Sequence, residues 1–459
     1  MEHQIDFGRP EHIYFIGIGG ISMSGLAEIL LKEGFRISGS DMQRSALTET
    51  LEERGAKVFI GQRYENVTPD VDCVVYTAAI REDNPEFVAA KDLSLPMLTR
   101  AELLGQMMRA YRSSIAVSGT HGKTTTTSML SHILLEAETD PTISVGGILP
   151  VIGSNVRIGA RDTFLLEACE YTNSFLSFYP TVEIILNIEA DHLDFFKDID
   201  DIRNSFRLFV KRMPDDGTLI IDSRIRDYGE IVGDFKGRVI TVSGEGADYT
   251  AEDVVFDSLA HPSFTLVKGG EKAGRIELSV PGEHNVGNAL AAAAAAEAAG
   301  IPFGAVQRGL KAFTGAERRF EKKGEYNGAV IIDDYAHHPQ EIEATLAAAA
   351  RCPKERLWVV FQPHTYSRTK ALLESFAGAL KKADHVILAD IYAAREKDTL
   401  GMSAALVAER VNAAGGNAEY VGGFDEIEAY LRKMLIPGDM CITMGAGDVY
   451  KIGERLAKG

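Results

Sequence analysis

A short apolar run is joined to a helical stretch, residues 126–135, by the segment Ile115-Ala116-Val117-Ser118-Gly119-Thr120-His121-Gly122-Lys123-Thr124-Thr125. A glycine-rich turn between a buried strand and a helix start directs backbone N–H groups at an anion. Lys123 can then reach the outer phosphates of a nucleotide, and the Thr124 hydroxyl can reach Mg²⁺. A plain strand–turn–helix corner is the alternative, but a helix dipole disfavours an unpaired cation at its start. We therefore predict that residues 119–125 bind ATP.

The composition is that of a multidomain globular protein. The 459 residues are 45% hydrophobic and 25% charged, enough for several cores and two or three domains. A net charge of -18 argues against a general nucleic-acid binder. We expect no membrane partner and a cytoplasmic location, because the N-terminus lacks a signal-peptide pattern and no run approaches the roughly 18 apolar residues of a membrane helix. The four cysteines, Cys73, Cys169, Cys352 and Cys441, lack paired spacing and are predicted to be reduced.

Strand-length apolar runs alternate with helix-length amphipathic segments along the whole chain, which is typical of α/β proteins. We predict three domains: a Rossmann-like unit over 1–110, a central phosphate-loop ATPase unit with a mainly parallel sheet over 111–315, and a Rossmann-like unit over 316–459. The expected strands lie at 12–16, 35–38 and 71–76, then at 115–117, 163–166, 182–187, 218–222 and 238–242, and finally at 330–332, 357–361, 385–388 and 440–443.

A second glycine-rich loop follows the first predicted strand. It runs from Gly17 to Gly25, and Asp41 closes the next strand, as in a dinucleotide-binding fingerprint. Gly17, Gly19 and Gly20 allow close approach to a diphosphate, and Asp41 can accept from a ribose hydroxyl. Ser22 replaces the third glycine of the strict pattern, so a tight turn without a ligand stays open as the alternative. Two phosphate loops on two domains predict two phosphorylated ligands.

Acidic side chains follow two strands of the central unit. Glu167 and Glu170 come directly after 163–166, and the segment from Asn187 to Asp194 comes after the next strand. Oxygen ligands with a helping imidazole suit a divalent ion beside ATP. We predict that Glu167 and His192 bind metal, whereas Glu189, Asp191 and Asp194 are interpreted as helix caps or solvated acids.

The third unit repeats polar clusters at the ends of its strands. Asp333 to Pro339 follows one strand, and Gln362 to Thr369 follows the next. Arg368 can pair with a carboxylate, while His338 or His364 can orient an amine or move its proton. Taken singly, such residues are more often surface groups or satisfied histidines. Their occurrence at consecutive strand ends favours a functional site.

Taken together, these motifs resemble the Mur ligases of peptidoglycan precursor synthesis, over nearly the whole chain. The segments that carry the resemblance are Gly17 to Gly25 with Ser40-Asp41, Gly119 to Thr125, Asn187 to Asp194, Pro281 to Asn285, Arg318 to Glu321, Asp333 to Pro339, Pro363 to Thr369 and Met444 to Asp448. The resemblance implies a UDP-sugar domain, an ATPase domain and a closing C-terminal domain. It implies ATP-driven amide formation through an acyl phosphate, with UDP-N-acetylmuramate and L-alanine as small-molecule partners, in a monomer or homodimer.

The resemblance also implies roles for individual residues. The UDP group is assigned to Gly17, Gly19, Gly20, Ser40 and Asp41. Lys123 is assigned to the β and γ phosphates, and Thr124, Glu167 and His192 to Mg²⁺. His284, Asn285 and Asn288 are assigned to the adenine side, Arg319 to the γ-phosphate after closure, and His338, His364 and Arg368 to the amino acid. The implied catalytic set is Lys123, Glu167, His192, Arg319 and His338, with His338 deprotonating or orienting the alanine ammonium.

Two departures from the family pattern affect the metal site. The commoner acidic motif is E-A-D-E-S-D, but this chain has Cys169, Tyr171 and Thr172 in it. Several sister ligases carry a carbamylated lysine near the position of Phe206 and Arg207, where no lysine stands. Any stabilising role of that lysine is therefore absent here or met by other groups.

Three other functions stay open at this point. A ligase that joins a tripeptide to the same UDP-sugar would share the domains and loops, and the amino-acid pocket decides between the two. An NAD-dependent dehydrogenase would rest only on the first loop and would leave Lys123 and Thr124 unexplained. A non-catalytic nucleotide-binding switch would bind ATP without amino-acid-dependent turnover.

Overall fold

The computed structural model describes residues 3–77, 79–193, 195–394 and 396–458, so the prediction for Asp194 lies outside the described residues. Three β-sheets follow one another along the chain, of five, ten and six strands, each with helices packed against it. The predicted α/β architecture with three successive units is confirmed. Among the described residues, no helix combines the length and the apolar character needed to cross a membrane.

The first sheet is entirely parallel, in the order β3-β2-β1-β4-β5. Its strands are β1 (His12–Ile16), β2 (Arg36–Asp41), β3 (Lys57–Ile60), β4 (Cys73–Tyr76) and β5 (Met97–Thr99). The helices between them are α1 (Ile21–Lys32), α2 (Ala46–Glu53), α3 (Pro85–Asp92) and α4 (Arg100–Met108), with a short 3₁₀ turn at Tyr64–Asn66. The glycine loop joins β1 to α1 at the carboxyl edge of this sheet, where ligands of such folds bind.

The central sheet has the order β15-β14-β13-β12-β11-β10-β6-β9-β7-β8. Its strands are β6 (Ser113–Ser118), β7 (Thr142–Leu149), β8 (Ser154–Arg157), β9 (Thr163–Glu167), β10 (Val182–Ile185), β11 (Thr218–Asp222), β12 (Arg238–Val242), β13 (Tyr249–Phe256), β14 (Pro262–Lys268) and β15 (Glu271–Glu277). All neighbouring strands between β7 and β13 in this order pair in parallel. The strands at the two edges of the sheet, β8 on one side and β14 and β15 on the other, pair antiparallel.

Five helices accompany the central sheet: α5 (Lys123–Glu136), α6 (Ile199–Val210), α7 (Tyr228–Val232), α8 (His284–Ala298) and α9 (Phe303–Ala312), with 3₁₀ segments at Pro150–Ile152 and Tyr171–Ser177. The alanine-rich α8 is buried along nearly its whole length. Its small side chains let it pack closely against α5 and the sheet. This packing fixes the start of α8 beside the start of α5, where the phosphate loop ends.

The third sheet has the order β16-β17-β21-β18-β19-β20 and is parallel except for the edge strand β16. Its strands are β16 (Glu321–Tyr326), β17 (Ala329–Asp334), β18 (Leu357–Phe361), β19 (His385–Ala389), β20 (Ala418–Gly422) and β21 (Met440–Met444). Its helices are α10 (Pro339–Arg351), α11 (Tyr366–Ala371), α12 (Leu373–Leu380), α13 (Ala404–Ala413), α14 (Phe424–Met434) and α15 (Tyr450–Lys458). The carboxyl ends of β17 and β18 face the central unit. The polar cluster after β17 meets the phosphate loop, and the cluster after β18 meets Asp191.

Candidate active site

The phosphate loop has the geometry that its sequence predicts. Gly119 and Gly122 have φ of 132° and 82°, in the region that favours glycine. Gly122 also lies close to α8, because a Cβ there would stand 2.7 Å from the Asn288 side-chain oxygen. The loop therefore depends on glycine at both positions, and α5 begins directly after it at Lys123.

Lys123 is held at the start of α5 by acceptors on two sides. Its ammonium donates to the carbonyls of Gly119 and Thr120, and to Glu170 Oε2 at 2.9 Å. Burial alone would lower the pKa of Lys123, but the nearby carboxylates, Glu170 first among them, outweigh burial and raise it. The side chain is therefore a fixed cation at the point where the outer phosphates of a nucleotide would lie.

The three predicted metal ligands lie near Lys123, in two pairs. The Thr124 hydroxyl donates to both carboxylate oxygens of Glu167, at 3.1 and 3.0 Å. His192 Nε2 lies 3.9 Å from Glu170 Oε1, a buried oxygen without a hydrogen-bond partner among the described residues. Carboxylate and hydroxyl oxygens with one open carboxylate position are a donor set that suits Mg²⁺. The residues present therefore fit a magnesium ion between Thr124, Glu167, Glu170 and His192.

The residues predicted for the adenine side line one cavity together with the phosphate loop. His284, Asn285 and Asn288 form its wall at the start of α8, and Arg319 enters from the third unit. Asn288 donates to the Asn285 side-chain oxygen at 2.9 Å, and Asn285 donates to the Pro281 carbonyl at 2.7 Å. Burial and the charge of Arg319 lower the pKa of His284 to about 4, so its ring is neutral near pH 7.

The glycine loop between β1 and α1 is hydrogen-bonded to Asp41. Gly17 has a φ of 84°, and the Gly19 N–H donates to Asp41 Oδ2 at 2.9 Å. The N–H groups of Gly17 and Ile18 donate to the Ser40 carbonyl, each at 2.8 Å. Gly20 caps α1 without a side-chain hydrogen bond. The structure thus brings Gly17, Gly19, Gly20, Ser40 and Asp41 together, and Asp41 shapes the loop.

Arg368 crosses from the third unit to the central one. Its Nε and Nη2 donate to Asp191 Oδ1 at 3.2 and 3.1 Å, and its Nη1 lies 3.0 Å from His364 Nδ1. The pKa of Asp191 is lowered, because Arg368 and neighbouring histidines outweigh its burial. His364 and Arg368 therefore lie together, as predicted, and face His192 across a shared cavity.

His338 lies apart from that pair. Its ring is buried against His121 of the phosphate loop, with ring centroids 4.8 Å apart, and its Nε2 has no partner among the described residues. The neighbouring His337 is nearer to His364, with ring centroids 5.9 Å apart. Burial lowers the pKa of both His337 and His364 to about 4. The third unit thus presents one histidine to the phosphate loop and two to the Arg368 side.

Sequence reasoning did not assign a role to Glu341, which joins the two halves of the site. Glu341 Oε1 lies 3.2 Å from His121 Nδ1, and Oε2 accepts from the His337 N–H at 3.0 Å. Burial lowers the pKa of His121, but Glu189 and Glu341 outweigh burial and raise it to about 9. In the sequence, Glu341 is marked only by its position in the first turn of α10. Acidic residues are common in the first turn of helices because they interact favourably with the helix dipole, so this position did not indicate a role in the site.

Two residues of the site have backbone conformations that their side chains disfavour. His192 has a φ of 52°. Thr365, directly after His364, has φ 64° and ψ 148°, a region otherwise adopted almost only by glycine. Strain of this kind persists where surrounding contacts impose it, and here it flanks the predicted metal and amino-acid ligands.

Comparison with known proteins matches three successive parts of the chain to three family domains. Residues 12–112 match the Mur ligase family catalytic domain, residues 117–296 match the Mur ligase middle domain, and residues 318–447 match the Mur ligase glutamate ligase domain. A UDP-N-acetylmuramate--L-alanine ligase from Lachnospira eligens is 58% identical over 458 residues, covering 99% of this chain and 100% of the relative.

Two solved structures are also similar over nearly the full length. The UDP-N-acetylmuramate-alanine ligase of Thermotoga maritima has a TM-score of 0.80 at 29% identity, covering 97% of this chain and 98% of the other. A murein peptide ligase from Psychrobacter arcticus has a TM-score of 0.70 at 26% identity, covering 98% of each chain.

Proposed function

The chain belongs to the Mur ligase family, and we propose that it joins L-alanine to the carboxylate of UDP-N-acetylmuramate, with conversion of ATP to ADP and phosphate. The observation that carries this proposal is that the phosphate loop and the amino-acid cluster meet across one interface. His121 of the loop lies 3.2 Å from Glu341, and Arg368 lies 3.1 Å from Asp191. The 58% identity to an enzyme named for this reaction supports the choice of substrates.

In the first chemical step, the muramate carboxylate attacks the γ-phosphorus of ATP, and ADP leaves. Lys123 exchanges the Glu170 carboxylate for phosphate oxygens, which keeps its charge paired as the phosphoryl group moves. Arg319 approaches the same group from the third unit. Thr124, Glu167 and His192 would hold Mg²⁺, which neutralises charge on the phosphate oxygens when bound.

In the second step, the alanine amine attacks the carbonyl carbon of the acyl phosphate, and phosphate leaves with one former carboxylate oxygen. Arg368 is proposed to bind the alanine carboxylate in place of Asp191. His338 is proposed to orient the ammonium or take its proton, because its buried Nε2 is unpartnered. The enclosed interface keeps water from the acyl phosphate. Wild-type turnover of His338→Ala at saturating alanine would exclude that role.

The proposal includes the partners, location, oligomeric state and domain limits of the enzyme. The substrates are small molecules, the location is cytoplasmic because both nucleotides are cytoplasmic metabolites, and the enzyme is a monomer or homodimer without a nucleic-acid or membrane partner. The domain limits are proposed at 1–110, 111–315 and 316–459, because the strands of the three sheets lie within residues 12–99, 113–277 and 321–444.

The test is phosphate release from ATP and Mg²⁺ with UDP-N-acetylmuramate, comparing L-alanine, glycine, L-serine and the tripeptide L-alanyl-γ-D-glutamyl-meso-diaminopimelate. The proposal predicts the fastest turnover with L-alanine. Turnover with the tripeptide alone would make the chain a peptide ligase, the activity named for the Psychrobacter arcticus structure. Nucleotide binding without turnover on any acceptor would favour a non-catalytic switch.

A further inference from the structure

Three ligating side chains converge at the interface between the central and third units. They are His121 of the phosphate loop, Glu189 after β10, and His338 directly before α10. One ligand atom from each lies within 4.8 Å of the other two, and His121 Nε2 is 3.6 Å from Glu189 Oε2. Glu189 has no part in the proposed reaction, so the cluster as a whole is not explained by it.

Each of the three residues has a buried polar atom without a hydrogen-bond partner in the part of the chain that the structure describes. These atoms are His121 Nε2, Glu189 Oε2 and His338 Nε2. His338 is only 6% exposed. Unsatisfied buried polar atoms are rare, and each one costs about 1–3 kcal/mol. His121 Nε2 and Glu189 Oε2 face each other as an ion pair at 3.6 Å, too long for a hydrogen bond, and His338 Nε2 lies beside them. The three atoms can therefore share a partner that the protein chain does not supply.

The surroundings favour a divalent cation as the missing partner. Glu341 lies 3.2 Å from His121 Nδ1, which directs Nε2 of that ring at the cluster, as carboxylates do behind zinc-binding histidines. The Gln340 N–H is 3.5 Å from His338 Nδ1, too long to hold that ring in one tautomer. Glu189 and Glu341 flank opposite nitrogens of His121. A cation bound by Nε2 would therefore replace the proton on the Glu189 side, while Nδ1 keeps its proton towards Glu341.

We propose that His121, Glu189 and His338 form a binding site for a divalent transition-metal ion, with Zn²⁺ the best match, distinct from the magnesium site. Two imidazoles and one carboxylate form a donor set that zinc accepts and magnesium does not favour. Ligand atoms about 3.3 Å apart would complete a tetrahedral zinc shell, so the cluster closes by a small movement of its side chains. The fourth position is left for water.

The site has a route to solvent and a structural consequence. A cavity lined by Glu189, His338, Gln340 and Lys381 opens beside the cluster. Because two ligands belong to the central unit and one to the third, the ion fastens α10 to the phosphate loop. It also occupies the nitrogen of His338 that the proposed reaction uses. Inhibition of turnover by Zn²⁺ follows from this and rests on the proposed function, whereas binding of the ion does not.

The experiment is a Co²⁺ titration of the full-length protein without nucleotide, in excess Mg²⁺ so that the oxygen-rich site is filled. The expected result is an intense tetrahedral Co²⁺ absorption band at one ion per chain, removed by Zn²⁺. Glu189→Gln and His338→Gln should abolish the band. Glu341→Gln should weaken the affinity by about tenfold, as loss of an outer carboxylate does.

The matched control is His192→Gln, which removes the histidine of the magnesium site and should leave the Co²⁺ band unchanged. Thermal unfolding without metal shows that each variant is folded. Zn²⁺ should raise the unfolding midpoint of wild type and His192→Gln, should do so for Glu341→Gln only at higher concentration, and should leave Glu189→Gln and His338→Gln unchanged. Absence of a tetrahedral band in the folded wild-type protein would overturn the proposal. So would a band lost in His192→Gln but kept in His338→Gln, because the ion would then lie in the magnesium site.

Discussion

Lys123 is a buried cation whose partners must change during the proposed reaction. Before any nucleotide binds, Glu170 and two loop carbonyls satisfy its ammonium. Glu170 itself is 2% exposed, and its Oε1 has no hydrogen-bond partner in the described part of the chain. When a nucleotide binds, phosphate oxygens can replace Glu170 as the partner of Lys123, and Glu170 can bind a metal ion instead. Neither buried charge is then left without a partner.

Replacing Lys123 with alanine should lower kcat by about 10²–10³-fold, the usual loss when one charge-stabilising donor is removed. The physical reason is that the ammonium stabilises charge on the transferring phosphoryl group. Steady-state phosphate release at saturating substrates measures the effect. Lys211→Ala, at an exposed lysine after α6, is the control and should retain wild-type turnover.

Glu183 is a buried acid that the proposed reaction does not use. It lies in β10, it is 0% exposed, and neither of its carboxylate oxygens has a partner among the described residues. Burial raises its pKa well above the ordinary value. The folded protein therefore keeps a proton on Glu183 at pH values where the unfolded chain has lost it.

Because the folded state binds the extra proton, the stability contributed by Glu183 is present below the ordinary carboxyl pKa and is lost as pH rises towards the raised one. Over that window, the free energy of unfolding should fall by up to about 1.4 kcal/mol per pH unit. Glu183→Gln removes this slope. Thermal unfolding of both proteins from about pH 5 to about pH 8 should show that the stability of the variant relative to wild type increases as pH rises. Parallel curves would show that Glu183 is ionised in the folded protein.

At the scale of elements, the position of α5 depends on its contact with α9. A Cβ added at Gly309 of α9 would stand 2.5 Å from the Ile133 Cα of α5. Real side chains do not approach a backbone so closely, so glycine permits the contact. Since α5 begins at Lys123, this packing helps to hold the phosphate loop against the sheet.

Gly309→Ala should destabilise the protein by about 1–3 kcal/mol, the usual cost of forcing extra volume into a packed core. Gly378→Ala is the matched control, since a Cβ in that part of α12 meets nothing within 4 Å. It should instead stabilise by roughly 0.5–1 kcal/mol, the ordinary helix preference of alanine over glycine. Thermal unfolding of both variants measures the difference, and equal midpoints would contradict the contact.

The elements that sequence patterns predicted are those buried on both faces. β6, β10, β18 and β21 are almost wholly buried and mostly apolar, and each was expected within a few residues of its observed bounds. The hairpin β13–β15 was not expected, because β13 is mostly exposed and contains Glu252 and Asp253 in place of a regular apolar alternation. Half-exposed edge strands have no distinct local sequence pattern, because their formation depends on pairing with the neighbouring strand.

The same distinction applies to the candidate site. Lys123, Thr124 and Glu167 could be predicted because each stands at a fixed place in a strand–loop–helix unit. The contacts of Glu341 with His121, and of Asp191 with Arg368, join residues of separate units. No local pattern encodes such contacts. The position of His338 beside His121, with His337 on the other side, likewise depends on how the third unit packs.

For the whole molecule, the arrangement of the three units places two ligand cavities side by side. The third unit contacts the central one through Glu341 and Arg368, and the first unit packs on it closely at Gly25, where a Cβ would stand 2.3 Å from Val156. The nucleotide cavity and the Arg368 cavity are both lined from the central and third units. An acyl phosphate formed between them would be shielded from water and within reach of an amine.

The most direct test of this account uses UDP-N-acetylmuramate labelled with ¹⁸O in both oxygens of its carboxylate. With ATP, Mg²⁺ and L-alanine, the released phosphate is analysed by mass spectrometry. One ¹⁸O is expected in each phosphate, with an equal amount of the alanine amide, because the bridging oxygen of the acyl phosphate leaves with phosphorus. Unlabelled phosphate would show that water attacks ATP directly, and labelled phosphate without the amide would show that water, not alanine, consumes the acyl phosphate. Either result would contradict the proposed ligase.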